Sequence, residues 1–174
     1  AGPAGRGRDD DLQCRAGRPY GFVLHGLWPQ HERGYPQNCA SRAPRFVAND
    51  VMARALDVTP SPALVQHEWE KHGTCSGLSQ SDYFDTAIGA YHLISVPPVY
   101  LASQDPIQTT PDEVRGRFLA ANPRLAADGI SVTCGGNDVA ELWVCLDRQL
   151  APRACSNEVQ RRHCGDRKVR MRAV

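Results

Sequence analysis

Residues 67–75 read His67-Glu68-Trp69-Glu70-Lys71-His72-Gly73-Thr74-Cys75, and the conformation of this stretch decides how the rest of the chain is arranged. Ser61-Pro62 ahead of it supplies an N-cap followed by proline at the first helical position. Gly73 behind it is a natural terminator. The pattern predicts a helix over Pro62–His72. A helix turns about 100° per residue, so His67 sits above Lys71 and Glu68 above His72, each pair four residues apart. These four side chains share one broad face, with Trp69 and Glu70 pointing away. Two imidazoles can give and take protons near neutral pH, and a lysine offers a cation to an anionic transition state.

Three other readings fit the same residues. A surface helix carrying ordinary i,i+4 pairs has this composition. A zinc site is suggested by His-Glu at its start, but the spacing is H-E-x-x-x-H where the zincin motif is H-E-x-x-H. Five residues of helix set the imidazoles about 140° apart, which argues against one shared ion. A cysteine nucleophile at Cys75 beside His72 is the third reading; the cysteine count argues that Cys75 is bridged instead.

A second stretch separates these readings. Phe22-Val23-Leu24-His25-Gly26-Leu27-Trp28-Pro29-Gln30 sets one histidine in an apolar, strand-like run interrupted by Gly26 and Pro29. Alone, such a histidine reads as a core residue. Together the two stretches resemble the active-site segments of the ribonuclease T2 family, which run roughly (F/I)-x-x-H-G-L-W-P and H-E-W-x-K-H-G-T-C. Both match without a gap. The resemblance extends over most of the chain from Gln13 onward, through the cysteine placement and the Tyr83-Phe84 helix. A departure lies before His67, where the family often has an aromatic near Val65; it bears on the shape of the nearby base pocket.

The 174 residues suit one domain, expected to be a single ribonuclease domain over 1–174. No unbroken apolar run is long enough to span a bilayer. With no leader-like opening, a mature or trimmed chain is expected, its signal peptide removed. The formal net charge is only +1, so attraction for phosphate must be local. Seven cysteines with no C-x-x-C pair read as disulfides, hence an oxidising compartment, secreted or periplasmic. Connectivity is not readable from spacing. The resemblance implies Cys39 with Cys75, Cys134 with Cys164, and Cys145 with Cys155 nested inside. It leaves Cys14, whose family counterpart pairs with a cysteine just after a first strand; that strand is expected to be missing here, and intact mass of the source protein would reveal it.

The remaining pattern is mixed. Tyr20–Leu24 reads as a strand, His31–Ala43 as a loop, and about Pro44 to Leu56 as a helix. Ser81–Ile94 reads as a helix with Tyr83, Phe84, Ala87, Ile88 and Tyr91 on its apolar side; His92 beside that stripe reads as core or surface. Thr110-Pro111-Asp112-Glu113 is a capping box opening a helix to about Asn122. Ile130–Cys134 and Val139–Asp147 read as a hairpin about Gly135-Gly136-Asn137. Basic residues 161–172 fit a phosphate-attracting patch, but read first as a solvated tail. Helices between strands predict an α+β fold, a mostly antiparallel sheet with helices packed on one side, as the resemblance also implies.

The resemblance implies an endoribonuclease that cleaves single-stranded RNA by 2′-hydroxyl transesterification to a 2′,3′-cyclic phosphate, with no metal or other cofactor. His25 is the expected general acid and His72 the general base; residue type alone does not say which is which. Glu68 and Lys71 would steady the transition state, and His67 would hold the phosphate. Trp28 could stack on a base or be a buried core aromatic, and Gln30 could contact a base through its amide. Glu68, four residues before His72, is expected to raise its pKa. DNA, lacking the 2′-hydroxyl, should survive. A monomer with no membrane partner is expected. The rival from another class is a secreted RNA- or glycan-binding module without catalysis; another is a metallohydrolase, which a chelator would expose.

Overall fold

The computed structural model describes residues 22–101, 103 and 105–172. Residues 1–11, Cys14 and Tyr20 lie outside them. The chain forms two compact units that divide after Leu93.

In the first unit, helix α1 (Asn49–Ala55) starts five residues later than the periodicity predicts. The reason is competition for backbone groups. Pro44 O accepts from Trp69 Nε1 and Gln80 Nε2, Phe46 O accepts from Gln80 Nε2, and Arg45 O accepts from Gln66 Nε2. Val47 N and Ala48 N donate to Gln66 Oε1 and Gln80 Oε1. Side chains thus take the groups that a helix would have bonded internally.

Helix α2 (Pro62–Lys71) opens as predicted, with Ser61 accepting from Leu64 N. Its end differs from expectation. Gly73 does not stop the chain in a left-handed conformation; His72 caps the helix and a 3₁₀ turn, Gly73–Cys75, follows. The glycine is needed for packing instead, since a Cβ there would stand 2.3 Å from the Trp69 ring. Helix α3 (Gln80–His92) follows an N-cap at Ser79. Val47, Val51, Ala55, Val65, Trp69, Tyr83 and Phe84 form the core between these helices. Ile88 and Tyr91 are half-buried and His92 is exposed. Phe22 to Leu24 join no strand of the described sheet; Leu24 N donates to Val58 O, and Leu24 O accepts from Thr59 Oγ1.

The second unit holds the sheet, in the order β1-β4-β3-β2. β1 (Ile107–Thr109) pairs antiparallel with β4 (Val169–Met171). β2 (Ile130–Gly135) and β3 (Asp138–Val144) form the predicted hairpin, with Gly136 at φ +59° in its turn and an irregularity between Thr133 and Cys134. β3 meets β4 in parallel at Asp138 and Arg170. Helix α4 (Pro111–Ala121) opens on the complete Thr110–Glu113 capping box. It and the short α5 (Asn157–Gln160) pack against β2. The class is α+β.

Residues 161–172 are not a solvated tail. They end in a strand inside the sheet, with Val169 buried. Arg170 and Arg172 each pair with Asp138 at 3.0 Å, and the Arg172 hydrogen bond foremost holds that carboxyl below its usual range. Disulfides join Cys39–Cys75, Cys134–Cys164 and Cys145–Cys155, the three pairs that the resemblance implied.

Candidate active site

His25, Trp28, Glu68 and His72 come together in the first unit, carried by the His25 loop and the buried side of α2. Glu68 is at the centre. Its side chain is only 4% exposed; Oε1 lies 3.6 Å from His25 Nε2, and Oε2 accepts a 2.6 Å hydrogen bond from Trp28 Nε1. Trp28 stands between the two histidines. Its ring centroid is 5.1 Å from His25, edge to face, and 5.4 Å from His72. Lys71 is half-exposed and His67 exposed on the same helix, while Trp69 faces the core. Gln30 lies exposed at the surface.

Gly26 makes this approach possible. A Cβ at that position would lie 1.9 Å from Glu68 Oε2, so any other residue would push the carboxylate out of place. The His25 loop is irregular, and hydroxyls fix it from outside. Tyr83 Oη donates to Leu27 O at 2.7 Å, and Tyr91 Oη to Phe22 O at 2.8 Å. Both tyrosines belong to α3. Burial and the nearby Glu68 push the Tyr83 hydroxyl's pKa up, so it remains a donor. At the other side, Asn38, in the left-handed region at φ 51°, donates its N–H to Lys71 O. Cys39 is then bridged to Cys75, which ties this strap to the end of α2.

The two histidines have opposite surroundings. His72 is 4% exposed, and its pKa is pushed down to about 4 by burial first, then by the Lys71, His67 and His25 charges. Its buried Nδ1 has no hydrogen-bond partner among the described residues, so a protonated ring would carry an N–H with no acceptor. The expected raising of His72 by Glu68 is therefore wrong. Four-residue spacing brings the residues together, but the Glu68 carboxylate turns to Trp28 and His25. His67 is also lowered, by loss of surrounding water, then Lys71 and His25. His25 is half-exposed, with its Nε2 facing the buried Glu68 carboxylate.

Sequence reasoning missed Gly26 and Gly73 as close-approach residues and the two tyrosine hydroxyls. It also missed Tyr35, 39% exposed with its ring 6.3 Å from His72. An aromatic set between Gly34 and Pro36 in a polar loop was the available signal. Val65, where the family often has an aromatic, is fully buried and lines a small apolar cavity behind Glu68 with Leu24, Leu27, Val58 and Tyr83.

Residues 7–155 match the model of the Ribonuclease T2 family. The chain belongs to that family. A ribonuclease of Aeromonas hydrophila is 35% identical over 95% of this chain and 77% of its own length. A probable ribonuclease of Haemophilus influenzae is 29% identical over 84% of this chain, which spans only 50% of that relative. Among solved structures, an RNase-related protein from Calystegia sepium superposes with a TM-score of 0.69 at 20% identity, covering 87% of this chain and 82% of that one. RNase NT in complex with 5′-AMP gives 0.63 at 22%, covering 85% and 81%. These structural likenesses speak for the T2 fold.

Proposed function

We propose that this T2-family ribonuclease cleaves single-stranded RNA by attack of the ribose 2′-hydroxyl on the adjacent phosphorus, with His72 as general base and His25 as general acid. The observation that carries the reading is the opposite electrostatic setting of the two rings. His72 is held neutral, ready to accept a proton. His25 Nε2 stands 3.6 Å from the buried Glu68 carboxylate, and an imidazolium in that place has a proton to give.

His72 removes the 2′-hydroxyl proton as the oxygen attacks phosphorus. His25 protonates the departing 5′-oxygen, whose bond to phosphorus breaks. The products are a 2′,3′-cyclic phosphate and a free 5′-hydroxyl. Lys71 and His67, on the outer part of the same helix face, stabilise and hold the phosphate oxygens, where negative charge develops. Glu68 acts through His25; a buried carboxylate aimed at the phosphate itself would repel it. Trp28 is first a positioning residue, its N–H spent on Glu68. Its half-exposed ring, with Tyr35, offers stacking surface to a base, and the exposed Gln30 an amide for a base contact. Each step is a proton transfer or charge contact made by side chains, and no cofactor is invoked. DNA is spared for lack of a 2′-hydroxyl.

The match of one family model across both units supports a single catalytic domain. Three disulfides support a secreted or periplasmic enzyme, and we place it there as a monomer. The test is the pH dependence of kcat/KM for RNA in wild type and in His25→Ala and His72→Ala. Each variant should lose about 10²–10⁴-fold. The residual activity of His72→Ala should lack the acid limb, and that of His25→Ala the basic limb. Near-wild-type activity in either variant overturns the assignment.

A further inference from the structure

We propose that Phe46 and Arg45 form an additional subsite for the RNA strand, outside the scissile dinucleotide, in which the phenyl ring stacks on a base and the guanidinium meets a phosphate; this rests on the ribonuclease reading above. Phe46 is 72% exposed, the most exposed large hydrophobic side chain among the described residues. A single exposed phenylalanine is common, and its mounting is what distinguishes this one. The two backbone groups of Arg45 and Val47 that flank it are bonded to the Gln66 amide, and its own carbonyl to Gln80. A ring on so firmly held a segment loses little freedom when a base stacks on it. Arg45 lies 5.6 Å from the ring centroid, and its side chain is 76% exposed.

Position supplies the second argument. Arg45 reaches Glu70 at 3.0 Å, and its carbonyl accepts from Gln66, so it spans one turn of α2. His67 follows Gln66 in sequence, turned about 100° around the helix from it, and Glu70 is one of the charges that act on His67. Going round α2, the surface passes from Phe46 and Arg45 through Glu70 to His67 and Lys71, then to Glu68 and His72. A strand whose phosphate is held at His67 meets Arg45 and Phe46 if it leaves on this flank. A ring beside an exposed guanidinium suits a base and a phosphate, one by stacking and the other by charge.

The experiment is a substrate length series. It starts with dinucleoside monophosphates and extends each into longer single-stranded RNA with the same dinucleotide at its centre. Wild type, Phe46→Ala and Phe46→Tyr are compared by kcat/KM. Phe46→Ala should match wild type on dinucleotides and fall roughly ten-fold behind on the longer strands, the scale of one lost stacking contact, while Phe46→Tyr keeps the wild-type gain with length. Equal loss at every length, or no loss at any, overturns the subsite. Wild type that cleaves no RNA of any length overturns the ribonuclease reading, and the subsite with it.

Discussion

At the scale of single residues, the site depends on how one carboxylate is oriented. Glu68 is one turn before His72 on α2, yet both of its oxygens face the His25 loop. His72 is left with burial, foremost, and with the neighbouring Lys71 cation, and titrates at about 4. It therefore stays a competent base well into mild acid. The acid limb of kcat/KM should lie near pH 4; a limb near 6.5 would show that the ring is not desolvated in solution. Glu68→Gln keeps an acceptor for Trp28 but removes the charge facing His25. It should move the basic limb to lower pH and cost more activity at neutral than at acid pH. An unmoved limb would dissociate Glu68 from the acid.

At the scale of elements, the His25 loop is held by hydroxyls from α3 more than by strand pairing. Tyr83→Phe removes the bond to Leu27 O and strands a carbonyl, at about 1–3 kcal/mol. Its kcat should drop several-fold with KM little changed and the pH limbs in place. An equal rise in KM would mean that the tyrosine serves binding. Gly26→Ala should be far more severe, because the methyl would occupy the Glu68 oxygen's position. These contacts also mark what the sequence allowed to be read. The Ser61 and Thr110 caps were legible because a cap needs only a few neighbouring residues. That Glu68 and His72 share a face of α2 was legible for the same reason, but the turn of the carboxylate toward Trp28 and His25 was not. The late start of α1 was not, since the Gln66 and Gln80 amides that hold 44–48 come from 19 to 36 residues away. Nor was the Val169–Met171 strand, because its alternation with arginines looks like solvated charge until Asp138 is in place.

At the scale of the whole molecule, site chemistry and stability are linked. The folded His72 takes up a proton only near pH 4, the unfolded one near 6.5. Between those values the unfolded chain binds more protons, so stability falls as pH drops from about 6.5 to 4 and this loss levels off below. The gap corresponds to about 3 kcal/mol. Thermal melts across that range should show the decline, and His72→Gln should flatten it. The Cys39–Cys75 bridge closes a separation of 36 residues and should contribute about 3–4 kcal/mol. Replacing both cysteines by serine should lower the midpoint of denaturation and impair activity together, because the strap ends beside Lys71 and His72.

The most direct test of the central claim uses DNA oligonucleotides that carry a single ribonucleotide, one for each base, incubated with the purified enzyme and a chelator at mildly acidic pH. Cleavage should occur only on the 3′ side of the ribose and leave a 2′,3′-cyclic phosphate. Cuts elsewhere in the strand, or 3′-hydroxyl ends at the ribose, would contradict attack by the 2′-hydroxyl.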